Sequence, residues 1–327
     1  MILICFGTRP EYIKVQSLIN NLDNIKTCFT GQHKDLLKDI MVDYYLNFED
    51  ISNNRLNNIM INILKSTYIF KDIDYVLVQG DTTTAASIAL SAYHMQIKVI
   101  HLEAGLRTNN IYDPYPEELN RQIISRIADI HLCPTELNKN NLLKENITKN
   151  IFVVGNTGLD NINKDGCEYS NQVLVTLHRR NNFHNIDKWF TILEEIANEY
   201  DGKLEFILPI HPNPNIKKYK YLLKKVNVIE PLSHEKTIEL IKKTKFIISD
   251  SGGIQEEASF LNKKIIICRN DTERPEILRS HGILCKNPEN LKKFVEEVNK
   301  NYFINEECPF GDGYSFLKIK KVLKLFM

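Results

Sequence analysis

The chain has 327 residues, 43% of them hydrophobic and 25% charged, which suits about two domains and excludes a disordered chain, a collagen-like repeat or a small disulfide-dense module. Its 42 Lys and Arg against 41 Asp and Glu leave a formal net charge of +1, so no global field exists to hold nucleic acid or a membrane surface, and any partner must be recognised locally. Seven cysteines without a Cys-x-x-Cys pair suit buried thiols in a reducing, cytoplasmic compartment better than a disulfide framework.

In chain order, the apolar run 2–6 predicts a buried strand, too short for a signal peptide or a membrane span. It ends in Gly7-Thr8-Arg9-Pro10-Glu11 and passes into a helical pattern carried by Ile13, Ser17, Leu18 and Leu22. Arg9 at this strand end serves equally as an anion-binding fork or as a surface arginine. A strand at 75–78 leads into Gln79-Gly80-Asp81-Thr82-Thr83-Thr84, where Asp81 or Thr82 caps a helix at 83–93, or the carboxylate is kept for chemistry. Strand 98–102 then runs into Glu103-Ala104-Gly105-Leu106-Arg107, and Pro116 starts a helix with Glu117 and Glu118 in its first turn, acids that also answer the helix dipole. Asp81, Glu103 and Glu117 thus occupy consecutive strand-end loops, where parallel topology converges them as groups suited to proton transfer.

After a strand at 151–154, the polar, glycine-bearing stretch 155–166 predicts a hinge, and the strand series resumes at 172–176, 204–208, 246–249 and 264–268. Between the first two of these, Phe190, Leu193, Ile196 and Ala197 mark an amphipathic helix. His178, Arg179 and Arg180 follow strand 172–176, either as a titratable ring with phosphate-binding arginines or as a solvated charge cluster. Asp250-Ser251-Gly252-Gly253 follows strand 246–249; its paired glycines let a nest of amides approach a pyrophosphate at a helix N-terminus, and Glu257, one turn on, can accept both hydroxyls of a ribose. Arg274, in Thr272-Glu273-Arg274-Pro275-Glu276, adds a cation, so a nucleoside diphosphate fits this half. His211-Pro212-Asn213-Pro214 and the lysines after it read as a loop and a charged helix face. At the end of the chain, Phe316, Ile319, Leu323 and Phe326 share one helical face, that of a docking helix. Neither Gly-x-Gly-x-x-Gly after a strand, nor Gly-x-x-x-x-Gly-Lys, nor zinc-ligand spacing occurs, which sets aside NAD, P-loop and zinc enzymes. Strict alternation of strand and helix predicts an α/β fold with two Rossmann-like parallel-sheet domains facing a central cleft.

The ordered set Gly-Thr-Arg-Pro-Glu (7–11), Gly-Asp-Thr-Thr-Thr (80–84), Glu-Ala-Gly-Leu-Arg (103–107), Pro-Glu-Glu-x-Asn-Arg (116–121), His-Arg-Arg (178–180), Asp-Ser-Gly-Gly-Ile-Gln-Glu-Glu (250–257) and Thr-Glu-Arg-Pro-Glu (272–276) closely resembles the non-hydrolysing UDP-N-acetylglucosamine 2-epimerase family. The resemblance implies the GT-B fold, with residues 1–160 and a terminal helix 312–327 in the first domain and 161–311 in the second. It implies inversion at carbon 2 of a UDP-2-acetamido sugar by loss of UDP to a bound glycal and re-addition, in the synthesis of surface-polysaccharide precursors. The substrate implied is UDP-N-acetylglucosamine or a 6-deoxy relative such as a UDP-2-acetamido-2,6-dideoxy-hexose. On matched positions, Asp81, Glu103 and Glu117 supply acid and base, His178 assists at the phosphate, and Arg9 and Lys14 line the cleft. Ser251, Gly252, Gly253, Glu257 and Arg274 hold UDP, with Arg179 beside His178. Neither metal nor redox cofactor is implied, nor nucleic acid or membrane insertion, and a homodimer is.

Departures from the family pattern are Asn181 in place of a glutamate and a shortened region at 47–70. Gln32-His33 is similar to the Gln-His that in bacterial members helps bind a second, activating UDP-sugar, whereas Asp35 and the shortened region depart from that regulatory site. Two other activities share the motifs: a hydrolysing epimerase releasing UDP and free sugar, and a GT-B glycosyltransferase, whose needs three clustered carboxylates exceed.

Overall fold

The computed structural model describes residues 1–32 and 40–327, so His33 and Asp35 lie outside the described residues. The chain divides into two compact units, Met1–Asn161 with Phe310–Met327, and Ile162–Pro309.

In the first unit, β1 (Ile2–Phe6), β2 (Ile25–Phe29), β3 (Tyr44–Tyr45), β4 (Tyr75–Gln79), β5 (Lys98–Leu102), β6 (Ile130–Cys133) and β7 (Ile151–Val153) form one parallel sheet in the order β3-β2-β1-β4-β5-β6-β7. The helices are α1 (Arg9–Asn21), α2 (Arg55–Lys65), α3 (Thr83–His94), α4 (Glu117–Ile127) and α5 (Glu136–Lys144). Every residue of β1 and of β4 is buried, as a parallel sheet covered on both faces requires. Period-two alternation divides the strand residues between two cores. Leu3, Cys5, Val76 and Val78 pack with Ile59, Ile63, Ile88 and Ala89 of α2 and α3. Ile2, Ile4, Phe6 and Leu77 pack with Val15 and Leu18 of α1 and with Ile319 and Leu323 of the terminal helix Ser315–Leu323.

In the second unit, β8 (Gln172–Thr176), β9 (Glu205–Pro209), β10 (Asn227–Ile229), β11 (Thr244–Ser249), β12 (Lys264–Ile267) and β13 (Gly282–Leu284) are ordered β10-β9-β8-β11-β12-β13, again all parallel. Its helices are α6 (Ile186–Glu199), α7 (Pro214–Lys217), α8 (His234–Lys243), α9 (Gly252–Phe260) and α10 (Leu291–Lys300). Trp189, Phe190, Leu193 and Ile196 of α6 pack on Val173, Val175, Phe206 and Phe246. Each sheet grows outward in both directions from a central pair, β1/β4 or β8/β11, and the loops leaving such a pair separate at the carboxyl edge to form a crevice.

The strands at 25–29, 44–45, 130–133, 227–229 and 282–284 lack a clear sequence signal. Three are edges of two or three residues, β2 begins with half-buried Ile25 and Lys26, and β6 carries a histidine in its middle. The thiols are not uniformly buried: Cys167 is exposed and Cys308 half-buried, while Cys5, Cys28, Cys133, Cys268 and Cys285 are buried. Among the described residues no helix is long and apolar enough to cross a membrane.

Two features of the first sheet are testable. Gly105 has φ +86° and its backbone lies so close to that of Asn138 that an added Cβ would stand 2.2 Å from the Asn138 carbonyl oxygen. Gly105→Ala should therefore cost about 3 kcal/mol or more in urea unfolding, from left-handed strain plus overpacking. His101 and His131 are register partners on β5 and β6, exposed by 0% and 2%, and burial pulls their pKa values down to about 3 and about 4. The unfolded chain takes up both protons as pH falls through about 6.5, whereas the folded chain refuses them, so stability is full at neutral pH and lost on acidification toward pH 4. The two rings should make the protein roughly 4 kcal/mol less stable at pH 5 than at pH 7 in urea titrations, and His131→Gln should about halve that dependence.

Candidate active site

At the carboxyl edge of the first sheet, β1 turns into α1 through Gly7 and Thr8. The Thr8 hydroxyl oxygen caps α1 by accepting from the Glu11 amide at 3.4 Å. Glu11 reciprocates: its Oε2 accepts from the Gly7 amide at 3.0 Å and the Thr8 hydroxyl at 2.7 Å, and its Oε1 from the Thr82 hydroxyl at 2.7 Å. This resembles a capping box in which the acid takes the amide before the cap residue, and the acid also reaches the loop leaving β4. Burial pushes the Glu11 carboxyl upward, against the downward pull of Thr82, Thr8 and Gly7. Thr82 in turn caps α3, accepting from the Ala85 amide at 3.0 Å.

Because Thr82 is the cap, Asp81 is left for another partner. Its Oδ2 accepts from Arg121 Nε at 2.8 Å and lies 2.7 Å from Nη2, while Asn120 Nδ2 donates to the Asp81 carbonyl at 2.8 Å. Arg121 also pairs with Glu118 at 3.0 Å, and Glu118 accepts from the Thr108 and Asn109 amides at 3.0 and 3.2 Å. The two acids that open α4 therefore divide: Glu118 is wholly buried and organises the preceding loop, and Glu117 is half-buried on the same first turn.

Glu103 follows β5 with φ +67°. Its Oε1 accepts from Lys14 Nζ of α1 at 2.6 Å, and its Oε2 from the side-chain amide of Gln79 at the end of β4. The Gly80 backbone is close enough that a Cβ there would stand 3.6 Å from Glu103 Oε2, so Glu103 and the Gly80-Asp81 turn are neighbours. His101 Nε2 lies 2.8 Å from the Gly80 carbonyl oxygen; a carbonyl only accepts, so the neutral ring carries its proton there and steadies the same turn. Arg9 is exposed on the first turn of α1.

At the carboxyl edge of the second sheet, His178 follows β8 and its ring stacks on His211, which follows β9, with centroids 5.4 Å apart and planes at 14°. Burial holds the His178 pKa below the ordinary imidazole range, with Asp250 opposing and Arg179 and His211 reinforcing the shift; the ring is mainly neutral at pH 7. Arg179 is exposed, and Arg180 and Asn181 enter the 3-10 turn Arg180–Asn185. After β11, Ser251 occupies the N-cap position of α9 but its side chain makes no capping hydrogen bond. The first amides of α9, from Gly252 and Gly253 onward, are thus not capped by that hydroxyl, and the helix dipole favours an anion there. A side chain at Gly252 would have to displace Arg274, since an added Cβ would stand 2.7 Å from Arg274 Nη1, whereas at Gly253 nothing among the described residues lies within 4 Å.

Arg274 is less available than its sequence suggests. Its guanidinium, 8% exposed, is engaged by Glu256 and Glu273, and Glu273 also pairs with Arg269 at 2.9 Å. The local charge is balanced, and the arginine forms the wall behind Gly252. Glu257, one turn into α9, has Oε1 2.7 Å from His234 Nε2 at the start of α8.

Asp81 and Glu103 are thus adjacent and each is held by a cation, Glu117 shares α4 with the residues that hold Asp81, and His178, Ser251, Gly252, Gly253 and Glu257 line the loops of the second sheet. Sequence reading assigned no site role to Glu11, Gln79, Asn120, Arg121, Asn182, His211, His234 or Asp250. The Thr-x-x-Glu spacing of Thr8 and Glu11 was a usable signal; the others depend on contacts between distant segments.

A family profile described as UDP-N-acetylglucosamine 2-epimerase matches residues 19–324. The chain is 38% identical to the UDP-N-acetylglucosamine 2-epimerase of Campylobacter jejuni, over 98% of this chain and 97% of that one. It is 36% identical to that of Neisseria meningitidis, over 95% and 96%. The fold matches a crystal structure of UDP-GlcNAc 2-epimerase from Neisseria meningitidis bound to UDP-GlcNAc, with TM-score 0.89, 34% identity and 99% of each chain covered. The two-domain parallel α/β architecture is that of GT-B epimerases. With the order of the strand-end motifs, the two switch-point loop clusters and this full-length agreement in hand, the chain belongs to the UDP-N-acetylglucosamine 2-epimerase family.

Proposed function

We propose that the protein interconverts UDP-N-acetylglucosamine and UDP-N-acetylmannosamine by inverting carbon 2. The observation that carries this reading is the placement of two carboxylates on adjacent strand ends, Glu103 against Lys14 and Asp81 against Arg121. In the proposed sequence a carboxylate removes the proton from carbon 2, the bond from carbon 1 to the phosphate oxygen breaks, and the electron pair of the lost C–H bond becomes the C1–C2 double bond of a glycal. UDP leaves with the electrons of the broken bond. Its oxygen then re-adds to carbon 1 while an acid delivers a proton to the opposite face of carbon 2. Asp81, Glu103 and Glu117 share the acid and base duties, with Arg9 and Lys14 as the cations beside them. His178 and Arg179 act at the departing and returning phosphate, which the amides of Gly252 and Gly253 and the Ser251 hydroxyl also hold, a preorganised donor set for the developing charge. Glu257 takes the ribose hydroxyls, and Arg274 acts by shaping the wall of the glycine nest.

A second copy of the chain completes a homodimer in this proposal, supported by exposed Leu119 and Ile123 on α4 and Tyr115 just before it. The enzyme works in the cytoplasm, in keeping with cysteines that lack Cys-x-x-Cys spacing, and supplies precursors of surface polysaccharide.

The deciding experiment is incubation with UDP-N-acetylglucosamine in D2O. Deuterium at carbon 2 of both epimers, with UDP still attached, supports the proposal; net release of UDP and free sugar would show a hydrolysing enzyme, and an unexchanged carbon 2 would exclude epimerisation by proton transfer. Asp81→Asn, Glu103→Gln and Glu117→Gln should each lower kcat by about 100-fold to 10,000-fold while UDP affinity stays within about threefold by calorimetry. Glu257→Ala should instead weaken UDP binding by roughly tenfold or more, the worth of hydrogen bonds to a charged acceptor, with a smaller effect on the chemical step.

A further inference from the structure

Asp250, between β11 and the glycine nest, is wholly buried. Its Oδ2 accepts from the backbone amides of His178 at 2.9 Å and Arg179 at 2.8 Å and from Asn182 Nδ2 at 2.9 Å. Its Oδ1 lies 3.1 Å from the His178 amide and 3.6 Å from His178 Nδ1. Asn182 Nδ2 also donates to the Cys268 carbonyl at 3.0 Å, bracing the group against the end of β12, and the Asp250 amide donates to the Thr176 carbonyl at 3.1 Å. A carboxylate only accepts, and these amide contacts are all donors, so charge is what the site is built to hold. An isosteric asparagine would turn an NH2 group against other N–H groups.

The consequence for His178 is geometric. One face of its ring is stacked on His211 and its Nδ1 edge is turned toward Asp250, which leaves Nε2 as the edge for another partner. Resting on the reading of His178 as the group at the phosphate, we infer that Asp250 is a positioning residue that sets the attitude of the His178 ring and the Arg179 backbone toward the glycine nest. The same residue begins that nest, so one side chain relates the loop after β8 to the loop after β11.

The test is a double-mutant cycle on the full chain, comparing wild type, Asp250→Asn, His178→Ala and the double variant, each checked for folding by thermal melting. Asp250→Asn should lower kcat about as much as His178→Ala, on the order of 100-fold, and should add less than about threefold in the His178→Ala background. In protein with 15N-labelled histidine, the ring resonances of His178, assigned by their loss in His178→Ala, should move in Asp250→Asn. Where His178→Ala is impaired, a kcat for Asp250→Asn within about threefold of wild type or a fully additive loss in the double variant would overturn the inference, and unmoved His178 resonances would overturn it in any case. An active His178→Ala together with moved resonances in Asp250→Asn would uphold the positioning and remove the reading of His178 on which its catalytic value rests. Should Asp250→Asn fail to fold, Asn182→Ala removes one donor; a loss in kcat of roughly threefold to tenfold that vanishes in the His178→Ala background supports the inference, and the same loss in both backgrounds overturns it.

Discussion

Loops that leave neighbouring strands of a parallel sheet have no ladder between them, so nothing in the sheet itself fixes their mutual distance. In this protein a buried carboxylate closes that gap at the switch point of each sheet. Glu11 ties the β1 turn to the β4 turn through Gly7, Thr8 and Thr82, and Asp250 ties the β11 loop to the β8 loop through His178, Arg179 and Asn182. Burying an anion costs several kcal/mol unless it is well satisfied, and each hydrogen bond to a charged acceptor contributes about 1.5–3 kcal/mol, so three donors are about what such a group requires. The same arithmetic makes these acids hard to replace.

Pairing is the rule for the other charges of the site as well. Lys14 meets Glu103, Arg121 meets Asp81 and Glu118, and Arg274 meets Glu256 and Glu273. The two groups of pairs differ in burial. Lys14 and Glu103 keep side-chain exposures of 16% and 11%, and Asp81 keeps 27%, enough for a small molecule to contact them. Arg274 and its partners are at 8% or below, so their contribution is shape: the guanidinium occupies the space a Gly252 side chain would need.

The sequence by itself determined the fold class, most of the central strands and the identity of the motif-bearing loops. Buried parallel strands are continuous apolar runs, as at Ile2 to Phe6 and Phe246 to Ser249, and strand-to-helix turns carry glycine and capping residues at fixed spacing, as at Thr8 and Thr82. Short edge strands such as β3 and β10 escaped because two or three half-exposed residues hold no period to read. Tertiary structure alone decided which polar side chain answers which. Asp81 and Thr82 were equal candidates for a cap until Thr82 took the Ala85 amide and Arg121, 40 residues away, took the aspartate. Arg274 read as a cation for a ligand until two glutamates enclosed it, and Asp250 had no assigned task until the His178 and Arg179 amides converged on it. Hydrogen bonds and ion pairs between segments far apart in the chain leave no periodic trace in composition or spacing; they are settled only when parallel strands bring their carboxyl ends to one edge.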